Sequence, residues 1–331
     1  MSVAEVTASG VDTVSYAFRP TGSDVFDALD AFRAQPWRFG PAGALIADER
    51  GADGGRLIAF PAMSVLAIET RLGALLAADV NDHSLVPSAS LVAGARNARL
   101  MMWDHAGVDP GAPTEVRRYD LASELRFGAA CDGLAFLRTV AGLIPARARG
   151  TVEVGADGHV MTVYARTAKR GVVHSRIYDK GRESGSDPPG FRVRIESQNS
   201  PPKARRYSPD VLADLDLTAT FGRTMKPYLH VEQLTTAGPD GAVAELAARA
   251  IRGDMSHAKA EGLIGAVALL KYGGRAVYDR DEDAAVNNNK RSSRRLKALR
   301  DAGIVLSDEL PPEAAVPVSA LLRDAIARFS A

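Results

Sequence analysis

The stretch from Val172 to Lys180, VVHSRIYDK, sets a tyrosine between an arginine and a lysine at alternate positions. Read as a strand, its period of two puts His174, Arg176, Tyr178 and Lys180 on one face. Val173, Ser175, Ile177 and Asp179 fall on the other. Two cations beside a phenol suit attack on a phosphodiester: the cations offset the phosphate charge and the phenolic oxygen is the nucleophile. The same pattern fits a solvated strand face with an ordinary amphipathic tyrosine, so the neighbouring segments must decide.

Those segments are acidic at the same period. In RYDLASE, Arg118, Asp120 and Glu124 share a face with Ala122 between them. In RVRIESQ, Val193 and Ile195 share one face, leaving Arg194, Glu196 and Gln198 on the other. With the apolar sides turned to a core, Asp120, Glu124 and Glu196 converge with Tyr178 on the opposite surface. Oxygen ligands of this kind suit Mg²⁺ or Mn²⁺, which would polarise the phosphodiester. The alternative is that these carboxylates pair with Arg118, Arg176 and Arg194 as salt bridges. Glu183, just past the strand, and His174, on the Tyr178 face, are candidates for supporting roles, as are Arg118 and Arg194. Tyr164 shares a strand with Thr162 and Arg166 and suits stacking on a base, whereas Tyr119 points away from Asp120 and is expected to be buried.

At 331 residues the chain can hold two domains, and its 46% hydrophobic and 24% charged content is that of a globular protein. The single cysteine, Cys131, excludes an intrachain disulfide and fits a cytoplasmic protein. No apolar run approaches membrane-spanning length and MSVAEVTASG is not a signal peptide, so no membrane partner is expected. Net charge is only +1, but the basic residues cluster: Arg166 to Arg182 is one group, and Lys290, Arg291, Arg294, Arg295, Lys297 and Arg300 form another. Local groups of this kind govern phosphate binding more than the total does. The six histidines form no His-hydrophobe-His triplet, and no Walker-type phosphate loop is present, so strand opening would fall to supercoiling or a host helicase.

The pattern predicts a loose tail over 1–10, then strands at Val11–Phe18, Ala44–Ala47, Arg56–Phe60 and Met63–Glu69. A helix is expected over Ser23–Ala34, with Phe26, Leu29 and Phe32 inward, and another over Cys131–Leu143. Further strands are expected at Arg117–Phe127, Thr151–Val154, Val160–Arg166, Val172–Lys180 and Phe191–Glu196, while residues 72–110 carry no assignment. A connector over 201–240 leads to a helical segment, 241–331, with helices at Ala242–Ile251, Ser256–Tyr272, Asp281–Ala302 and Val318–Phe329. Gly303 is placed to cap the third. The fold class is therefore α+β: a mixed or antiparallel sheet with crossing helices, then a helical, winged-helix-like part.

The order VDTVSYAF, VRRYDLASEL, TVY, R-x-Y-D-K-G-x-E and R-x-E resembles the replication initiation factor family, initiators of rolling-circle plasmids with related relaxases of conjugative elements. The resemblance covers roughly residues 10–200. It implies that 11–200 is a DNA nicking and strand-transfer domain in which Tyr178 cuts one strand and stays linked to its 5′ phosphate. Arg176 and Lys180 would hold the scissile phosphate. The implied partner is a replication origin with a single-stranded or cruciform nick site, and members of the family can act as dimers. Where relatives tend to have aspartate, this chain has Glu124. The segment KRSSRRLKALRDA with GIVL after it resembles a helix-turn-helix or winged-helix DNA reader, with Lys290, Arg291, Arg294, Arg295 and Lys297 lining one side; a solvated amphipathic helix is the alternative. Two other functions stay open: a non-catalytic DNA-binding regulator built on the C-terminal helices, and a metal-dependent phosphoesterase that uses water.

Overall fold

The computed structural model describes residues 4–19, 38–40, 43–48, 56–63, 65–77, 84–106, 113–144, 149–166, 174–184, 191–201, 208–272 and 282–330. The helix expected over Ser23–Ala34 lies outside them. Two long strands, β1 (Glu5–Phe18) and β6 (Thr114–Phe127), form the centre of a large sheet. On one side of β1 follow β5 (Val65–Arg71), β4 (Arg56–Phe60), β3 (Leu45–Asp48) and β2 (Arg38–Phe39). On the far side of β6 follow β10 (Phe191–Asn199), β9 (His174–Asp179), β8 (Val160–Arg166) and β7 (Arg149–Val154). Every neighbouring pair is antiparallel. β1 starts at Glu5, so residues 5–10, expected to be a loose tail, pair with Arg126 through Ala122 instead. Period-two alternation continues back through this segment, with Val6 buried.

One face of the sheet is apolar and carries the helices. Leu121, Leu125, Val163, Ile177, Val193 and Ile195 are fully buried there. They pack with α1 (Leu72–Ala77), α2 (Ser90–Ala106) and α3 (Ala130–Gly142), where Phe127 and Phe136 meet at 5.5 Å between ring centres. The same core takes in α5 (Pro209–Ala213), α6 (Leu217–Met225) and α10 (Val318–Ala327), through Leu212, Phe221, Met225, Leu321 and Leu322. The short α4 (Lys180–Ser184) follows β9 directly. The expected connector thus supplies two helices to the main core, and the C-terminal helix returns to the sheet.

A second, smaller core lies between α7 (Pro239–Arg252), α8 (His257–Tyr272) and α9 (Glu282–Asp301), built from Leu246, Leu263, Val267, Leu299 and Ile304. Beside it runs a three-stranded sheet in which β11 (Thr235–Ala237) pairs in parallel with β12 (Ile304–Leu306) and antiparallel with β13 (Ala315–Val316). Gly303 turns the chain from α9 into β12 at φ +78°, and a Cβ there would lie 2.3 Å from the Gln233 carbonyl oxygen. Both facts require glycine.

Arg249, on α7 and 2% exposed, fastens these parts together. It donates to the Ala302 and Gln233 carbonyls at 2.7 Å each, to Thr235 Oγ1 at 3.1 Å and to Glu245 Oε1 at 2.7 Å. Arg249→Ala takes the donor from two part-buried carbonyls and a carboxylate and empties the space of a buried side chain, and we expect it to cost about 3 kcal/mol. Urea denaturation followed by circular dichroism checks this; a loss within the scatter of surface substitutions would show that Arg249 does not hold the second core.

Candidate active site

Register decides which residues meet on the polar face of the large sheet. Across β10 and β6, Arg194 stands opposite Glu124, Glu196 opposite Ala122, and Gln198 opposite Asp120. Across β10 and β9, Arg194 stands opposite Tyr178, Glu196 opposite Arg176, and Gln198 opposite His174. Thr162 and Tyr164 of β8 continue the rows beside Tyr178 and Arg176. Directly paired residues share a face, so Tyr178, Arg176, Glu196, Arg194, Glu124 and Asp120 lie on one surface, as their spacing predicts. Lys180 departs from this: β9 ends at Asp179, and Lys180 opens α4. Its Nζ still lies 5.8 Å from the Tyr178 ring centre.

At the centre is Arg194, with 3% of its side chain exposed. Its Nη1 donates to Asp12 Oδ1 at 2.9 Å and its Nη2 to Glu124 Oε2 at 3.0 Å. Arg192 Nη1 reaches Glu124 Oε1 at 3.4 Å. A second network lies alongside, where Arg118 holds Asp120 with two donors and reaches Glu69 Oε2 at 3.1 Å. Asp12 and Glu69 are missing from the sequence reading. The signal for Asp12 is a lone acid inside an apolar strand, and the register shift between Val11 and Val14 turns it to the polar face. Glu69 carries the same mark, as the single acid of the apolar strand VLAIETR.

The third network contains the tyrosine. Tyr178 Oη donates to Glu196 Oε1, while Arg176 Nη1 lies 3.8 Å from Glu196 Oε2. The Arg176 guanidinium stacks 4.0 Å from the Tyr178 ring centre, and 5.9 Å from that of Tyr164. Tyr178 is 2% exposed, but it belongs to none of the apolar clusters; charged groups surround it. Tyr119, by contrast, is in the apolar core, as its register predicts. The side chains of His174, Glu183, Lys290 and Arg291 lie outside the described residues.

The electrostatics follow from burial. Glu196 is pushed up to about 7, first by burial and then by the charge of Asp12, against the opposing pull of Tyr178 and Arg176. Asp120 is pushed up to about 6, again by burial first, with Arg118 holding it down and Asp12 and Glu69 adding to the rise. Glu196 is therefore half ionised near neutrality and already hydrogen-bonded to a phenol, which are the requirements for a general base.

The expected metal set fits less well. Asp120, Glu124 and Glu196 share the face, and their oxygens suit a hard cation. Yet Arg118 engages Asp120, two arginines engage Glu124, and a phenol and an arginine engage Glu196. Among the described residues no group of three His, Cys, Asp or Glu side chains is arranged to hold a metal ion. As arranged, the carboxylates are neutralised by guanidinium groups, the salt-bridge alternative. On the C-terminal part, Arg294 and Lys297 of α9 are exposed and Arg295 half-buried, with Lys297 paired to Asp301. Among the described residues no helix is long and apolar enough to cross a membrane.

No protein-family model matches the chain, and no curated protein matches it. Among solved structures it is similar to a rolling circle replication initiator protein from Geobacillus stearothermophilus, at 13% identity and a TM-score of 0.36, over 67% of this chain and 85% of that one. It is also similar to Methanococcus jannaschii TBP, at 11% identity and a TM-score of 0.33, over 68% of this chain and 99% of that one. Both similarities are too distant to define a common fold.

The raised carboxyls tie stability to pH. A folded chain that holds a proton on Glu196 up to about 7, where the unfolded chain releases it near 4.5, gains stability in acid and loses it as pH rises through that window. The loss from about pH 5 to about pH 8 should be on the order of 2 kcal/mol, and Glu196→Gln should remove most of it. Denaturant midpoints at the two pH values check this; an equal slope in the variant would show that Glu196 is not the group responsible.

Proposed function

We propose that the chain is a site-specific, single-strand DNA endonuclease and strand transferase that starts rolling-circle replication or conjugative transfer through a 5′-phosphotyrosyl intermediate. The observation that carries this reading is the Tyr178–Glu196 hydrogen bond, with Arg176 stacked on the same ring. The order of motifs from VDTVSYAF to RVRIESQ, which resembles the replication initiation factor family, supports it as well.

In the proposed step Glu196 takes the phenolic proton as Tyr178 Oη attacks phosphorus. The bond between phosphorus and the 3′ oxygen breaks, and the leaving oxygen carries off the electron pair and gains a proton from solvent. A free 3′ hydroxyl results, with the 5′ phosphate esterified to Tyr178. The tyrosyl ester retains much of the energy of the broken phosphodiester, so attack by a 3′ hydroxyl can return the proton from Glu196 to the phenol and reseal the strand. Water as nucleophile would forfeit that reversibility.

Arg176 and Lys180 offset the charge that builds on phosphorus. Arg176 now lies over the ring and near Glu196, so an arriving phosphate would draw the guanidinium to itself and uncover the phenol. Arg194 is committed to Asp12 and Glu124 and serves as a support. Mg²⁺ or Mn²⁺, expected from the acidic residues, enters no step, because those residues as arranged already have cationic partners. In this reading 11–200 carries the cut, and the exposed side of α9 supplies origin recognition through Arg294, Arg295 and Lys297.

A denaturing gel of protein with end-labelled origin oligonucleotide tests the chemistry, with and without Mn²⁺. The wild type should give an adduct that survives denaturant, and Tyr178→Phe none. Glu196→Gln should slow adduct formation by about 10²–10⁴-fold, and the wild-type rate should rise with pH about a midpoint near 7. A nick without adduct would establish water as nucleophile and overturn the role of Tyr178. Arg294→Ala with Arg295→Ala should weaken origin binding and flatten its salt dependence by about one phosphate contact per arginine. Unchanged binding in a salt titration would remove α9 from the interface.

A further inference from the structure

A groove of about 680 Å³ lies between α8 and α9. Gly262, Gly265 and Leu269, spaced i, i+3 and i+7 on one face of α8, line it together with Ala298 of α9. All four are exposed, Leu269 at 43%. Lys259, Arg294 and Arg295 line the groove as well, and none of these side chains has an acidic partner among the described residues. Asp301 is the acid in the lining, and Lys297 holds it at 2.5 Å. Three cations against one acid leave the groove with a net charge of +2.

Glycine inside a helix weakens it relative to alanine. Elsewhere in this fold the reason is plain: a Cβ at Gly94 of α2 would lie 2.3 Å from the Leu72 side chain, and one at Gly133 of α3 2.0 Å from Phe191. At Gly262 and Gly265 a Cβ would meet nothing within 4 Å. No neighbour among the described residues requires either glycine, so the space they leave suits a surface that approaches α8 from outside. A second copy of the chain on this face would set Lys259, Arg294 and Arg295 against their own duplicates, which like charge opposes. DNA phosphates would meet the cations but leave Leu269 and the glycines uncovered. An acidic amphipathic helix satisfies both parts of the groove, with apolar side chains on the glycines and carboxylates on the cations.

We propose that this groove docks an acidic amphipathic helix of a partner protein, its apolar ridge seated over Gly262 and Gly265 and its carboxylates facing Lys259, Arg294 and Arg295. The docking stands whether or not the chain cuts DNA. Because Arg294 and Arg295 are also the proposed origin contacts, a docked partner would take them out of reach of the duplex.

Fluorescence anisotropy of the full chain with a labelled synthetic peptide tests this, the peptide carrying leucine at i, i+3, i+4 and i+7 and glutamate on both flanks. It should bind, and the same peptide with lysine in place of glutamate should bind at least about tenfold more weakly. Gly265→Leu fills the groove and should weaken binding by about tenfold or more. Its thermal midpoint should be unchanged or raised, because the new side chain enters open space and replaces a glycine inside a helix. Lys259→Glu with Arg294→Glu should turn the preference toward the lysine peptide. No binding of the glutamate peptide at millimolar concentration overturns the proposal, as does equal binding of the two peptides or an affinity that Gly265→Leu leaves intact. Oleate and a DNA duplex serve as comparison ligands. Tighter binding of either one, lost in Gly265→Leu, would put a lipid or a nucleic acid in the groove and overturn the proposal.

Discussion

A guanidinium buried in the middle of a β-sheet governs the polar face of this protein. Arg194 has almost no access to water, and an uncompensated cation there would cost several kcal/mol. Asp12 from β1 and Glu124 from β6 supply the compensation, so three strands far apart in sequence are locked in one register by one side chain. The effect spreads outward. Asp12 neutralises Arg194, but its charge also reaches Glu196 and Asp120 and makes both harder to ionise. The proton affinity of the residue next to Tyr178 is thus set partly by an acid that does not touch it.

Much of this was legible in the sequence because strand parity is a strict rule. The limits of β4 and β8 agree with the pattern to the residue, and the shared face of Tyr178, Glu196, Glu124 and Asp120 follows from alternation alone. What parity cannot show is where it breaks. The register shift between Val11 and Val14 is silent in the sequence, and with it the role of Asp12. Ion pairing was equally hidden: carboxylates on one face read as metal ligands or as salt-bridge partners until the positions of Arg118, Arg192 and Arg194 are known. Helix α2 escaped assignment because its buried stripe is Leu91, Ala95 and Ala98. Small alanines pack well against a sheet but give a weak periodic signal.

Composition placed the domain boundary close to residue 200, where the sheet does end, but the chain does not change partners there. Helices α5 and α6 close the apolar face of the sheet, and α10 comes back to it after the second core is complete. The second core is thus an excursion between two segments that belong to the first. Arg249 binds its start to its finish by capturing carbonyls from residues 233 and 302. A unit entered and left through the same neighbour is restrained at both ends, which suits a part that must keep a fixed pose beside the sheet.

The irregularity in β1 has a further consequence. By accommodating an additional residue, the strand presents Val14, Tyr16 and Phe18 to the oily underside along with Val11, while Asp12 emerges on top. A regular ribbon could not serve both sides in this way, because any shift that kept the acid up would lift part of the hydrophobic row with it. The fault in the weave therefore uncouples two demands on a single strand, and the wiring of charge above can change without disturbing the packing below.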